Sequence, residues 1–302
     1  MTAKRLLRLC HHLLEDLILV VLIALLFVAI YAKFDSTLLF EGASPRRYEM
    51  YKPTGEDELS FQDLRAQNRD VFGWLSIYGT NIDYPLVQSA HSNDYYLNRD
   101  PLGRMQASGS IFLDFRSDPH FGDFNTLIYG HHMAERKMFG DIDLFLEEEF
   151  FETHEFGSLY FDGSEHGLRI LGVLKVNAYD MEVYRPHVPE AAREAYLQHL
   201  KNCAIYSRYI APGDTETQYV LLSTCSEDIT NGRFVLLCAL TDDVPENPFG
   251  DREEKNTGLS AYDLLERAEQ LSGFQWILFV LILITITATL YYIERQRRKH
   301  HG

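Results

Sequence analysis

Long apolar runs near both ends of the chain are the strongest pattern in the sequence. The first run is unbroken over residues 17–32, and the second covers residues 276–293. Each run, taken with its immediate flank, approaches the ~20 residues that cross a bilayer as one helix. The pattern therefore predicts transmembrane helices over residues 13–32 and 274–293.

Between these runs, short and mostly apolar segments separated by turns and polar loops are typical of β-strands. Strands are predicted over residues 72–78, 82–88, 110–114, 126–129, 158–161, 168–178, 218–224 and 233–241. Helices are predicted over 61–68 and 138–145, and a longer one over 189–207, where apolar residues recur at helical spacing. Many short strands with few helices favour a mainly β protein built on a closed or partly closed barrel.

Basic residues flank the two apolar runs on the sides that face the ends of the chain. They are Lys4, Arg5, Arg8, Arg295, Arg297, Arg298 and Lys299. By the positive-inside rule, both termini are expected in the cytoplasm and the intervening residues outside, at the plasma membrane. A cleaved signal peptide is the alternative for the first run, but residues 31–35 make a poor cleavage site.

This topology predicts seven consecutive regions. They are a cytoplasmic N-terminus (1–12), an anchor (13–32), an extracellular stalk (33–59), a folded domain (60–241), a linker with an amphipathic segment (242–273), a second span (274–293) and a cytoplasmic tail (294–302). The folded domain is expected to contain all of the chemistry, because it alone carries the strands.

Composition excludes some classes of function. The chain has 28 Lys and Arg against 44 Asp and Glu, a formal net charge of −16, and no basic stripe, so nucleic acid is not an expected partner. Four cysteines are too few for a disulfide scaffold. Cys203 and Cys238 fall on apolar faces and are expected to be buried, inert thiols, with a bridge between them as the alternative.

Three chemically distinctive residues lie at strand ends. Cys225 closes one predicted strand, Arg233 opens the next, and His131 follows a short apolar strand and a glycine. A free thiol has a pKa near ~8.5 and needs a base or a cation before it attacks a carbonyl. His131 can exchange the proton, and Arg233 can hold an oxyanion or the substrate. The set predicts a thiol acyl-transfer site.

Each of these residues also has a structural interpretation. His131 could be a core histidine, and Arg233 could form a surface ion pair with Glu227 or Asp228. The adjacent His132 is predicted to be structural, because neighbouring side chains of an extended chain point to opposite faces.

Metal binding is a weak alternative for the two histidines and Cys225. The sequence has no Cys-x-x-Cys or His-x-x-x-His pair, and zinc sites normally use three or four ligands at such spacings. The acidic residues 147–149 lack the alternating oxygen ligands and the glycine turn of a calcium loop. No cofactor is assigned.

The residues around these three positions form recognisable motifs. They are Leu221-Leu222-Ser223-Thr224-Cys225, Tyr129-Gly130-His131-His132-Met133 and Asn231-Gly232-Arg233, with further stretches over 70–75, 81–88, 109–114 and 138–140. In matching order over roughly residues 60–241, they resemble the sortases, the cysteine transpeptidases of Gram-positive surfaces, and class B most closely. Two departures are Leu221, in place of the usual first threonine, and the second apolar run.

The resemblance implies a sortase barrel of about eight strands, with an N-terminal helix and a long helix before the strand that carries the cysteine. It implies that Cys225 is the nucleophile, His131 the general acid/base and Arg233 the group that stabilises the oxyanion or the substrate. Ser223 and Thr224 would then contact the substrate.

The activity implied by the resemblance is cleavage of a C-terminal sorting signal of a secreted surface protein, after a threonine. The thioacyl enzyme then passes the protein to an amine, either a pilin lysine or a lipid-linked cell-wall precursor, with hydrolysis as a side activity. The second apolar run favours pilus assembly. The alternatives are a catalytically silent, membrane-tethered barrel that binds wall or sorting-signal peptides, and a Cys-His peptidase that releases its product to water.

Overall fold

The computed structural model describes residues 3–53, 59–208, 216–224 and 232–250. The helices in this part of the chain are α1 (Ala3–Gly42), α2 (Leu59–Gln67), α3 (Glu148–Thr153) and α4 (Arg193–Asn202). The strands are β1 (Val71–Ile77), β2 (Asp83–Val87), β3 (Ile111–Leu113), β4 (Asn125–Gly130), β5 (His132–Met133), β6 (Lys137–Met138), β7 (Phe156–Phe161), β8 (Ser164–Asn177), β9 (Ala204–Ser207), β10 (Tyr219–Thr224) and β11 (Gly232–Thr241). Short 3-10 helices cover Pro45–Arg47, Glu49–Tyr51, Tyr95–Asn98, Gly140–Leu146 and Glu190–Ala192.

Eight of the strands form a closed barrel. Their order is β11-β10-β4-β3-β2-β1-β7-β8, and β8 pairs with β11 to close the sheet. Closure leaves no free edge within the ring, which explains how so many short strands remain paired. Strand β9 adds to β8 outside the ring. The mainly β barrel predicted from the sequence is therefore confirmed.

The barrel buries side chains on both faces of its strands. Alternate residues such as Leu75, Leu222 and Leu236 belong to one core cluster, drawn from all eight strands, and so fill the barrel interior. Their neighbours in sequence, such as Leu221 and Leu237, belong to a second cluster that also contains residues of α2 and α4. Because side chains alternate along a strand, the helices cover the outer face of the sheet.

A tight hairpin joins β7 to β8. Asp162 and Gly163 at its turn have φ values of 51° and 81°, and a two-residue turn with positive φ at both positions matches the twist of paired strands. The turn lets pairing begin at Ser164, whereas the sequence predicted a strand only from residue 168.

The long helix predicted over 189–207 is shorter in the structure. A 3-10 turn precedes α4, and the helix ends at Cys203, whose N–H lies within hydrogen-bond distance of the carbonyls of both His199 and Leu200. Residues 204–207 instead form β9, because the edge of β8 offers them backbone partners. Pairing with the sheet thus overrides the helical pattern.

The helix predicted over 138–145 is also different. Met138 belongs to β6 and has a φ of 52°, outside the helical range, and the segment that follows is the 3-10 helix Gly140–Leu146.

Residues that precede α2 pack on the barrel. The Tyr84 hydroxyl donates to the carbonyl of Ala43 at 2.9 Å, and Lys52 forms an ion pair with Asp83 at 2.9 Å. Both contacts hold the segment after α1 against the strands.

In the part of the chain that the structure describes, no helix is long and apolar enough to cross a membrane. The transmembrane helix predicted over residues 13–32, which lies within α1, is therefore not supported. The second predicted span, 274–293, lies outside the described residues.

Candidate active site

Two parallel strands bring the ends of two motifs to the same edge of the barrel. Strand β10 pairs with β4 so that Thr224 is opposite Gly130, the last residue of each strand. His131 follows Gly130 directly, and Thr224 is the last described residue before a gap that contains Cys225. Parallel strands that end in register deliver the residues that follow them to one place.

Gly130 lies against the barrel core just before His131. A Cβ atom at residue 130 would lie 2.4 Å from Cδ1 of Ile111 and 2.8 Å from Cδ2 of Phe139, so any side chain there would force these neighbours to move. Phe139 also donates its backbone N–H to the carbonyl of His131 at 2.9 Å. The glycine therefore lets the chain lie against the barrel core while the following histidine is held by its backbone.

The ring of His131 has a defined orientation. Its Nε2 atom lies 2.7 Å from the carbonyl oxygen of Leu97, and the side chain is half-buried. A carbonyl can only accept a hydrogen bond, so Nε2 carries the proton and donates it. In the neutral ring, Nδ1 is then the nitrogen with a lone pair, the atom able to take a proton.

Arg233 reaches the end of β10. Its Nη1 atom donates to the carbonyl of Thr224 at 2.7 Å, which places the guanidinium beside the last described residue of that strand. Its Nε atom is buried and has no hydrogen-bond partner among the described residues. A buried donor without a partner costs about 1–3 kcal/mol, so this N–H is suited to an acceptor that the described residues do not supply.

Ser223 and Thr224 are both buried. The Ser223 hydroxyl lies 3.1 Å from the hydroxyl of Tyr184, and the Thr224 hydroxyl donates to the carbonyl of Phe234 at 3.4 Å. Their predicted contact with substrate stays a prediction. Cys225 and the predicted ion-pair partners of Arg233 lie outside the described residues.

His132 is set apart from His131 by its surroundings. Its Nε2 atom lies 2.6 Å from Oδ2 of Asp143, in a pair whose side chains are 34% and 44% exposed. His132 begins β5 and is exposed, whereas the ring of His131 is half-buried against Leu97. The two neighbouring imidazoles therefore meet different groups, as an extended backbone requires.

A buried carboxylate lies behind the strand that leads to His131. Asp114 accepts hydrogen bonds from Arg116 at 2.7 Å, from Asn93 at 3.0 Å and from the Tyr129 hydroxyl at 3.3 Å. Burial acts to raise the pKa of Asp114, but the hydrogen bonds from Arg116 and Asn93 outweigh it and hold the pKa below its ordinary value. Asp114 is therefore a charged anchor under the site.

Sequence reasoning missed three of these groups. The carbonyl of Leu97 is a backbone atom and leaves no mark in a sequence pattern. Asp114 and Tyr184 are ordinary residue types whose roles depend on contacts with residues distant in the chain. The sequence indicated residues 110–114 only as a strand and as part of a resemblance, without a role for the Asp114 carboxylate.

The cysteines that the structure describes with their side chains, Cys203 and Cys238, are free thiols, so the alternative of a bridge between them is not supported. Cys238 is fully buried in the barrel core, and burial raises the pKa of its thiol. Cys203 is half-buried beside Asp180, and burial, followed by the charge of that carboxylate, raises its pKa as well. A raised pKa is the opposite of what a nucleophilic thiol needs.

Comparison with known proteins gives the family. No family model matches the chain. Sortase B of Listeria monocytogenes is 34% identical over 185 residues, which cover 60% of this chain and 74% of the relative.

Among solved structures, sortase B from the Type II pilus of Streptococcus pneumoniae is 43% identical with a TM-score of 0.52, covering 61% of this chain and 99% of that one. A Streptococcus pyogenes class B sortase involved in pilus biogenesis is 34% identical with a TM-score of 0.55, covering 60% and 98%. The chain thus belongs to the class B sortases and is a cysteine transpeptidase by family.

Proposed function

We propose that Cys225, His131 and Arg233 form the active site of this transpeptidase. The observation that carries the proposal is the parallel register in which Thr224 is opposite Gly130. Consecutive Cα atoms are only ~3.8 Å apart, so Cys225 and His131 each begin one residue beyond that pair. From the same covalent limit we infer that the nucleophile acts at the edge where His131 and Arg233 are found.

The register of β10 and β11 supports the role of Arg233. Ser223 pairs with Val235 in this antiparallel pair, and two further steps along both strands lead to positions 225 and 233. The guanidinium already holds the carbonyl of Thr224, and its Nε–H is directed to no described acceptor. This N–H is the donor we assign to the developing oxyanion or to the carbonyl of the bound peptide.

The acyl transfer then proceeds in two steps. The sulfur of Cys225 attacks the carbonyl carbon of the scissile bond, and its proton reaches Nδ1 of His131. The tetrahedral intermediate collapses to a thioester as the leaving amine takes that proton. In the second step, an acceptor amine gives a proton to His131 and attacks the thioester, forming a new amide and releasing the thiol.

The substrate and the acceptor are part of the proposal. We take the substrate to be a secreted surface protein with a C-terminal sorting signal, cleaved after a threonine. The acceptor is an amine, and we favour a pilin lysine over a wall precursor because two similar solved structures are described as pilus sortases. Water in place of the amine would give hydrolysis as a side reaction.

We also propose that the catalytic domain works outside the cell, attached to the plasma membrane. Apolar side chains of α1, including Leu17, Leu22 and Leu26, are exposed in the described structure, and lipid would remove them from water. A cysteine reporter within residues 251–256 is expected to be labelled on intact cells, whereas one placed after Lys299 is expected to be shielded. Labelling of the second reporter would contradict the proposed topology.

Amine capture tests the chemistry. The purified chain is mixed with a panel of peptides that contain candidate sorting signals, with and without hydroxylamine. A thioester would be captured as a peptide hydroxamate, detected by mass spectrometry, and Cys225→Ala would abolish it. Cys203→Ala is the matched control and is expected to retain it. If no peptide gives a Cys225-dependent product, and an electrophilic peptide fails to label Cys225, the silent barrel becomes the better explanation.

A further inference from the structure

Three potential metal ligands lie together at the end of α4, apart from the candidate active site. His199 and Cys203 are one helical turn apart, at the last turn and the C-cap of the helix. Asp180 comes from the loop that joins β8 to α4. The ring nitrogen, the sulfur and the carboxylate oxygen all lie within 4.8 Å of one another.

Hydrogen bonds hold the carboxylate of Asp180 in position beside His199. Its Oδ1 atom accepts the backbone N–H groups of Glu182 and Val183 at 3.1 and 3.3 Å. Its Oδ2 atom lies 2.9 Å from Nε2 of His199. One oxygen therefore fixes the loop, while the other faces the imidazole. The side chains of Asp180 and His199 are 22% and 38% exposed, so an ion in solution can reach them.

The distances fit a small transition-metal ion. Zinc binds carboxylate oxygen, imidazole nitrogen and thiolate sulfur at about 2.0–2.3 Å, so ligand atoms around one ion are roughly 3–4 Å apart. The present cluster, with all three ligand atoms within 4.8 Å of one another, is close to this spacing. Nitrogen and sulfur ligands do not suit calcium or magnesium, which take oxygen ligands almost exclusively.

We propose that Asp180, His199 and Cys203 bind a divalent transition-metal ion, foremost zinc, with solvent in the fourth position. The site is distinct from the predicted nucleophile and does not depend on the proposed catalytic function. A role for Cys203 as a reactive thiol is disfavoured, because burial raises the pKa of its thiol and keeps it protonated near neutral pH.

Binding would connect α4 to a loop that reaches the active-site edge. The carbonyl of Val183 accepts from the hydroxyl of Tyr196 in α4 at 3.1 Å, and the Tyr184 hydroxyl lies 3.1 Å from that of Ser223. An ion held by Asp180 would add a link at the start of this loop. The expected consequence is a higher thermal stability in the presence of zinc.

Cobalt spectroscopy on the whole chain is the decisive experiment. The chain carries Cys225→Ala, so the predicted nucleophile cannot bind the metal, and it is reduced and treated with a chelator first. Titration with Co²⁺ is expected to give a near-ultraviolet thiolate-to-cobalt band that saturates at one equivalent. Histidine pairs at 11–12 and 300–301 can also bind metals, and Cys10 precedes the first pair, so the background also carries Cys10→Ala and neither pair can then give a thiolate band.

Single substitutions in that background assign the ligands. Cys203→Ser is expected to abolish the cobalt band and to weaken zinc, measured by competition with a chelating dye, by more than the ~10–100-fold typical of second-shell changes. Asp180→Asn and His199→Gln are expected to weaken zinc as well. Cys238→Ala, which changes a thiol in the barrel core, is the matched control and is expected to keep both signals.

Zinc uptake must also release the proton of the Cys203 thiol, so the affinity is expected to rise with pH. Proton release, measured in a weakly buffered solution, needs no substitution and therefore covers the case of a variant that does not fold. The proposal is overturned if the cobalt band survives Cys203→Ser, if Asp180→Asn or His199→Gln folds and binds zinc unchanged, or if binding releases no proton.

Discussion

His131 and His199 each hold one ring nitrogen against an oxygen, and the two oxygens are chemically different. Nε2 of His131 meets the carbonyl of Leu97 at 2.7 Å, and Nε2 of His199 meets the carboxylate of Asp180 at 2.9 Å. A carbonyl fixes the ring and its tautomer but carries no full charge. A carboxylate also stabilises a positive charge next to the ring, from a proton or from a metal ion. The neighbour of the first ring therefore suits it to exchange protons in the proposed active site, and the neighbour of the second ring suits it to bind a metal ion.

The two sites also differ in how the chain brings the histidine and the cysteine together. His199 and Cys203 are four residues apart on one helix, so α4 alone brings them together. Gly130 and Thr224, which precede His131 and Cys225 in the sequence, are instead far apart in the chain and are paired by β4 with β10. The metal site that we propose depends on a single helix and a loop, whereas the proposed active site depends on the register of two strands.

The largest expected effect separates the two histidines. We expect His131→Ala to lower transpeptidation by about 10²–10⁴-fold, because a positioned acid/base group contributes about that much. His199→Ala is expected to leave activity within a few-fold of the parent, since its ring projects from α4 and lies against Asp180 of the preceding loop. Initial rates of hydroxamate formation measure both. Similar losses in the two variants would contradict the proposed difference between the two histidines and would imply that the α4 site controls catalysis.

The next effect concerns Arg233, the cation of the proposed active site. Arg233→Lys is expected to lower the rate by about 10²–10³-fold, the usual cost of removing an oxyanion donor. Lysine keeps the charge, but its single nitrogen cannot replace both the Nη1 atom that donates to Thr224 and the Nε atom that is available to a second acceptor. Arg169→Lys, at an exposed pair with Glu155, is the control. A near-parental rate for Arg233→Lys would leave Arg233 with a structural role only.

Strand periodicity predicted most of the barrel. Each of the eight predicted strands falls on an observed strand, because both faces of the sheet are buried and apolar residues therefore mark nearly every position. The turn at Asp162-Gly163 was a readable hairpin signal that the sequence analysis did not use. Strand β9 could not be predicted, since residues 204–207 become a strand only because β8 offers an edge.

The sequence indicated which residues form the candidate site, but not which groups those residues contact. Motif and strand-end position indicated His131 and Arg233, and the structure brings both to the end of β10 or β4. The bond to Leu97 could not be predicted, because it joins a side chain to a backbone carbonyl 34 residues away. The zinc spacings Cys-x-x-Cys and His-x-x-x-His do not include His199-x-x-x-Cys203, so those patterns could not indicate it.

The stability that Asp180 adds to the folded chain is expected to depend on pH. Burial acts to raise the pKa of Asp180, but hydrogen bonds from His199 and the backbone outweigh it and hold the pKa below its ordinary value. The ionised group therefore adds stability that is fully present above the unfolded-state pKa, about 3.9, and is lost as the pH falls through the lower folded-state pKa.

Asp180→Asn is expected to reduce the free energy of unfolding by about 1 kcal/mol at pH 7, in urea titrations with a chelator present. Asparagine keeps an oxygen for the backbone N–H groups of Glu182 and Val183, so the change tests the charge. The difference from the parent should disappear in strongly acidic solution. A deficit that persists there would show that packing, not charge, explains it. Glu182→Gln, in an exposed pair, is expected to change little at any pH.

The smallest expected effect is at His132, the residue next to the proposed acid/base group. Its ring pairs with Asp143 at 2.6 Å on the surface, and solvent-exposed pairs of this kind contribute about 0–1 kcal/mol. His132→Ala is therefore expected to keep nearly full transpeptidation and to lose at most a few tenths of a kcal/mol in urea titrations. Asp143→Asn should reproduce the same small loss, because it removes the other half of the pair. If His132→Ala instead lost activity by orders of magnitude while His131→Ala did not, the assignment along the strand would be off by one residue. The carbonyl of Leu97 would then hold a structural histidine, and a carboxylate would accompany the catalytic one.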